Sequence, residues 1–204
     1  YLVDRVIPML PERLSNDLCS LVPGQDRLTK SIFITLDETG AVKKARAANT
    51  VIHSDMRLTY AQVQSFLDGG NENGADKITP RTGAALRLFS ELTELLIERR
   101  NERGSLDMDI PEAKVVLDDK GRPVDIVKYP RYKSNRMIEE AMLLANSAAA
   151  RMLSRRDSHF LYRIHDKPDF ERLETFGETA NSLGFTFNIK KAAKQRYIRD
   201  FLVS

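Results

Sequence analysis

Three pairs of carboxylates are the first candidates for chemistry: Asp107/Asp109, Asp118/Asp119 and Glu139/Glu140. Metal-dependent cleavage of a phosphodiester needs several carboxylates converging on one ion. Asp118/Asp119 fall in a turn, where aspartate is ordinary. Asp107/Asp109 share one strand face, where charge protects an edge. His53, His159 and His165 have no metal-ligand spacing. Cations gather at Lys43-Lys44-Ala-Arg46, Arg99-Arg100, Arg151 to Arg156 and Lys190 to Arg199. Any one cluster is an ordinary solvated face, and together they admit a polyanionic partner. Tyr1, Tyr60, Tyr129 and Tyr132 carry rings that can stack on bases, although core or rim packing accounts for any single tyrosine.

These residues are positioned by a helix predicted over 135–153. Met137, Ile138, Ala141, Met142, Ala145, Ala148, Ala149 and Met152 recur at the 3.6-residue period of a buried face. Ser134 or Asn135 can cap its start, and Glu139 and Glu140 are placed in its first turn, at the positive end of the dipole. Asn135, Glu139 and Asn146 lie on one line beside the apolar face. Such a line either bonds a neighbouring loop or borders a ligand channel.

Around this helix the pattern predicts a mixed α+β fold with mostly antiparallel hairpins flanked by helices. Leu28 to Leu36 and Ala41 to His53 flank the turn Asp37-Glu-Thr-Gly40. Ala113 to Leu117 and Pro123 to Lys128 flank Asp118-Asp-Lys-Gly121 and echo the first hairpin. Thr59-Tyr-Ala-Gln62 is a capping box opening a helix to about Leu67. The stretch Asp68 to Gly74 is predicted to be the most flexible loop. A long helix follows over about 80–103, with Leu86, Phe89, Leu92, Leu95 and Leu96 on its apolar face. A short helical turn after Pro11, a strand over 160–164, a helix opened by Pro168 in its first turn and ending near Leu183, and a last helix over 190–203 complete the reading.

The totals set bounds. The 204 residues are 42% hydrophobic and 30% charged, with a formal charge of +3. That is a globular composition that permits an acidic partner without demanding one. Cys19 is the single cysteine. Lying in the run Leu18-Cys-Ser-Leu21, it is expected to be a buried, inert thiol. No intrachain disulfide is possible, which fits a reducing cytoplasm. No run approaches the roughly 18 apolar residues of a membrane span, and no signal peptide is expected. The chain opens at Tyr1 rather than Met and reads as a piece of a longer protein.

Three stretches carry a resemblance: Ile7-Pro-Met-Leu-Pro-Glu-Arg-Leu-Ser-Asn-Asp-Leu-Cys-Ser-Leu21, His53-Ser-Asp-Met-Arg-Leu-Thr-Tyr60 and Asn135-Arg-Met-Ile-Glu-Glu-Ala-Met-Leu-Leu-Ala-Asn146. Their order and spacing resemble the RNB-type catalytic domain of the ribonuclease II / ribonuclease R family. Leu161-Tyr-Arg-Ile-His165, followed by Lys167-Pro168, fits as well. The resemblance implies a processive, hydrolytic 3′→5′ exoribonuclease that threads single-stranded RNA through a channel and releases nucleoside 5′-monophosphates. It also implies divalent metal, Mg2+, held by an aspartate cluster.

By that resemblance the whole chain, 1–204, is a single partial domain, the middle of the catalytic domain. The aspartate cluster is expected upstream of Tyr1 and the arginine-containing motif downstream of Ser204, so no catalytic or metal-binding residue is assigned within it. Tyr1 matches the tyrosine that stacks on bases at the buried 3′ end. Tyr60 matches the tyrosine that favours RNA over DNA, and Glu139 the acid that contacts the sugar. Met108 stands near the family's aromatic clamp partner, where a thioether can touch a base but not sandwich it. Implied partners are single-stranded RNA and the rest of the polypeptide, in a monomeric, cytoplasmic protein without membrane association. The chain alone is expected to hydrolyse no RNA. The rival readings are a catalytically inactive RNB-like RNA-binding module and an α+β interaction domain without a nucleic-acid partner.

Overall fold

The alternation between residues 26 and 53 folds as a long antiparallel hairpin in the computed structural model, which describes residues 2–106, 111–156, 159–164, 166, 168–192 and 194–203. Strands β1 (Asp26–Leu36) and β2 (Val42–His53) pair from Asp26↔His53 to Leu36↔Val42, with a bulge between Thr35 and Leu36. The turn between them is built by Asp37. Its carboxylate accepts from the Thr39 N–H at 3.0 Å, the Thr39 hydroxyl at 2.7 Å and the Ala41 N–H at 2.9 Å. Gly40 supplies the positive φ of 74° that closes it.

Strands β3 (Ala113–Leu117) and β4 (Pro123–Lys128) repeat this chemistry. The Asp118 carboxylate accepts from the N–H groups of Lys120 and Arg122 at 2.9 and 2.8 Å. The shared Leu-Asp-x-x-Gly pattern is therefore a turn motif, and Asp118 is engaged by backbone. The surroundings differ. Gly40 lies against Leu95 and Arg99, whereas among the described residues no side chain covers the Cα of Gly121 within 4 Å of where a Cβ would stand, and every residue of β4 is exposed.

Helix α1 (Tyr60–Leu67) starts with the expected capping box: Thr59 Oγ1 accepts from the Gln62 N–H at 3.2 Å and Gln62 Oε1 from the Thr59 N–H at 3.4 Å. Helix α2 (Pro80–Glu102) has Thr79 at its cap and Pro80 at its first position. Residues 68–74 run into a short helical turn. A 3₁₀ turn, Glu72–Lys77, follows, Gln62 Nε2 donates to the Gly74 carbonyl at 2.7 Å, and Ala75 is buried. Side-chain capping by Gln62 thus orders a glycine-rich segment. On α2 the deepest positions are the small Gly83, Ser90 and Thr93 together with Leu96, while the larger Leu86, Phe89, Leu92 and Leu95 are half-buried. Gly83 lets the Phe66 ring approach so closely that a Cβ would stand 2.6 Å from it.

Helix α3 (Lys133–Ser154) packs against α1, α2, β1 and β2 and is the centre of the assembly. Its N-cap is Tyr132, whose N–H donates to the Asn135 side chain at 3.0 Å. Glu139 and Glu140 therefore stand in the second turn, and the dipole argument for them fails. The buried stripe also differs. It runs through Ser134, Met137, Glu140 and Ala148, while Ile138 and Met142 are exposed. The stripe turns toward α1, α2 and the hairpin, which leaves part of the apolar period outside.

The C-terminal part has its own small core. Ala180 of α4 (Phe170–Ser182), Phe187 and Ala192 are buried together, with Leu173 and with Tyr197 and Phe201 of α5 (Gln195–Val203) packed around them. Three expectations are corrected here. Residues 160–164 form no strand among the described residues, and Leu161 is fully exposed. Asp169 caps α4 through the Glu171 N–H at 2.9 Å, so Pro168 precedes the cap. The last helix starts at Gln195, because the Asn188 side chain closes the separate turn Ile189–Lys191.

Near the other end, the turn after Pro11 is a six-residue π-type turn, Arg13–Leu18. Cys19 is exposed, not buried, because its neighbours Leu18 and Leu21 join no core. No helix of the described residues is long and apolar enough to cross a membrane.

Candidate nucleic-acid interface

Two of the four residues singled out for RNA contact, Tyr60 and Glu139, are described; Tyr1 and Met108 lie outside the described residues, as do Asp107, Asp109, His165 and Lys167. Tyr60 opens α1, and its side chain is among the exposed large apolar groups. Its carbonyl accepts the Ser134 hydroxyl at 2.8 Å, and the Ser134 N–H donates to Gln64 Oε1 at 3.3 Å. Ser134 is buried, so these bonds tie the first turn of α1 to the first turn of α3.

Glu139 lies one turn further along α3. Its Oε1 accepts from Arg100 Nη1 at 3.1 Å, and its Oε2 is 3.6 Å from Arg131 Nη2. Glu140, the next residue, points roughly 100° away around the helix. Its Oε1 is 3.0 Å from Arg100 Nη2. The two acids have different surroundings: the Glu139 side chain is 40% exposed and that of Glu140 is 5% exposed. Arg100, itself 15% exposed, holds both. Glu139 can therefore meet a solute, while Glu140 is a buried ion-pair partner.

The expected line Asn135–Glu139–Asn146 divides by function. Asn135 bonds the backbone at the helix start, Glu139 is ion-paired and half-exposed, and Asn146 is exposed. Sequence reasoning missed the pairing of Arg100 with both glutamates and the burial of Glu140. Glu140 sits three residues after Met137 and four before Leu144, inside the apolar stripe, and that spacing was the available signal.

Beside Glu140, residues of β2, α2 and α3 line a partly open cavity of about 620 Å³. Its lining combines the apolar Leu96, Leu143, Leu144, Ala148 and Met152 with seven lysines and arginines. Among the described residues no three His, Cys, Asp or Glu side chains are placed to hold a metal ion. The described residues therefore do not fit a catalytic metal.

This α+β arrangement, a central helix packed against a hairpin and two helices, goes with a known family along the chain. The RNB domain model matches residues 1–203, and the chain belongs to that family. Among relatives, it is 37% identical over 190 residues to Ribonuclease R 2 of Lactococcus lactis, covering 92% of this chain and 29% of that protein. It is likewise 37% identical to Ribonuclease R of Aquifex aeolicus, covering 91% of this chain and 26% of that protein. Among solved structures, Mycoplasma genitalium RNase R in complex with ribose methylated single-stranded RNA superposes with a TM-score of 0.88 at 31% identity. That match covers 98% of this chain and 31% of the other. The chain thus spans less than a third of the length of each of these three proteins.

Proposed function

We propose that this chain is the RNA-lining middle segment of a hydrolytic, processive 3′→5′ exoribonuclease that degrades single-stranded RNA to nucleoside 5′-monophosphates in the cytoplasm. The observation that carries the reading is the division of labour at Glu139 and Glu140. One carboxylate of an adjacent pair is buried as structure, while the other stays half-exposed on the helix whose first turn bonds the Tyr60 carbonyl. A carboxylate accepts a hydrogen bond from a 2′-hydroxyl, a group DNA lacks, and a tyrosine ring stacks on a base or sugar. Glu139 and Tyr60 are assigned to the ribose. Tyr1 and Met108 are assigned to bases at the 3′ end. The Ribonuclease R names of the relatives, and the single-stranded RNA in the Mycoplasma genitalium structure, support the choice of RNA.

Divalent metal, Mg2+ by family analogy, would activate water and stabilise the leaving oxygen when bound. Its ligands are proposed to lie outside the described residues. The chain's own part is to hold the strand and test its sugars, so the isolated chain leaves RNA intact.

The test is a degradation assay on a full-length protein carrying this segment, with RNA and DNA of one sequence, with magnesium and with chelator. Metal-dependent release of mononucleotides from RNA, with DNA spared, is expected. RNA bound but uncut would replace this reading with an inactive RNB-like binding module. Absence of any RNA interaction would remove the nucleic acid altogether.

A further inference from the structure

Glu139 is half-exposed, yet both of its carboxylate oxygens stand next to a cation. Arg100, from α2, divides its guanidinium: Nη1 donates to Glu139 Oε1 at 3.1 Å, and Nη2 stands 3.0 Å from Glu140 Oε1. The other oxygen of Glu139, Oε2, faces Arg131 Nη2 at 3.6 Å. Arg131 belongs to the segment that leads into α3, so the two cations reach one carboxylate from different parts of the chain. Glu94 on α2 is more exposed and meets a single cation, Lys133, through one oxygen.

A glutamate on a helix surface samples several rotamers, and fixing it costs entropy. A carboxylate that is to meet one hydroxyl at one place therefore needs something to hold it. A guanidinium is suited to this, because its donors form a rigid planar fork and holding one Nη directs the other. Glu140 supplies the hold on Arg100, and it is the buried acid of the pair. A buried ion pair gives little net stability against an apolar pair of similar volume. What Glu140 fixes is the direction of the guanidinium, and the second Nη then meets Glu139. Capacity for a ligand remains. A carboxylate has about four lone-pair sites, and the hydrogen bond from Arg100 uses one.

We infer that Arg100 and Arg131 are positioning residues for the discrimination of RNA from DNA. Glu140 docks Arg100, and the two arginines hold the Glu139 carboxylate in the orientation that accepts from a 2′-hydroxyl. Both arginines act through Glu139. This role rests on the assignment of Glu139 to the ribose.

The test measures kcat/KM on RNA and DNA of one sequence, using a full-length protein carrying this segment, and compares their ratio. Loss of folded protein lowers both values alike, so a purely structural role leaves the ratio unmoved. Arg100→Lys keeps a cation beside Glu140 but loses the fork, and is expected to narrow the ratio roughly fivefold. Arg131→Ala, nearer the surface, is expected to narrow it roughly twofold, and it decides the matter if circular dichroism shows the Arg100 variant unfolded. Glu139→Ala/Arg100→Lys is expected to match Glu139→Ala alone, because a positioning residue has nothing left to position. Arg99→Lys is the control, since Arg99 bonds Thr39 instead, and it should keep the wild-type ratio.

A wild-type ratio in both arginine variants, with Glu139→Ala narrowing it, would overturn the positioning role and leave the ribose reading standing. Further narrowing when Arg100→Lys is added to Glu139→Ala would overturn it too, because Arg100 would then act on the substrate without Glu139. A wild-type ratio in Glu139→Ala would overturn the ribose reading and this role with it.

Discussion

Glu139 and Glu140 are neighbours of one type on one helix, and they have opposite fates. The flank of α3 bearing Glu139 is half-exposed, with its charge compensated by Arg100 and Arg131. The flank bearing Glu140 is buried and opens onto a groove where cations outnumber acids. The rotation of the helix by one residue separates a half-exposed carboxylate from a buried one. The same guanidinium, Arg100, is ion-paired on both flanks.

The comparison is broken most severely at Glu140. Glu140→Ala leaves Arg100 largely buried without its deeper partner and is expected to cost about 3–5 kcal/mol, seen as a lower denaturant midpoint. A loss below about 1 kcal/mol would mean that the two glutamates are equivalent. Glu139→Ala, on the exposed flank, is expected to cost less than about 1 kcal/mol in the same measurement, because a half-exposed pair contributes little.

Ser134→Ala sharpens the link between the flanks and α1. Removing the hydroxyl that bonds the Tyr60 carbonyl is expected to cost about 1 kcal/mol and to speed hydrogen exchange at the start of α1. Unaltered exchange there would show that α1 is held by packing alone. The smallest effect belongs to the hairpin turn beside α2. The Thr39 hydroxyl first, and then the Ala41 N–H, hold the Asp37 carboxyl below its ordinary value of 3.8. A depressed carboxyl favours the folded state above its unfolded pKa, and that contribution is lost as pH falls through the lower folded value. Thr39→Val should move the Asp37 titration, followed by carboxyl NMR, back toward 3.8.

The local elements were largely legible in the sequence because their signals are local. The Thr59/Gln62 box, Pro80 at a helix start and the Asp-x-x-Gly turns are short-range chemistry, and each folds as its residues dictate. What depended on partners was not legible. The buried face of α3 is set by where α1, α2 and the hairpin sit, so Ile138 and Met142 stay outside despite matching the period. Cys19 and the 160–164 segment have apolar neighbours but no surface among the described residues to pack on, so a hydrophobic run led to neither burial nor a strand. At the candidate site, Glu139 and Tyr60 were reached through a family resemblance. Arg100 was hidden among the helix-terminal cations because its role depends on a glutamate pair some forty residues away.

The central claim is that the exposed flank of α3 reads the ribose. Its direct measurement is the RNA-over-DNA preference of a full-length protein carrying this segment, compared with its Glu139→Ala and Tyr60→Ala variants on one sequence. Loss of a hydrogen bond from a 2′-hydroxyl to a carboxylate should narrow the preference by about tenfold or more, with metal binding unchanged. An unchanged preference in both variants would contradict the account.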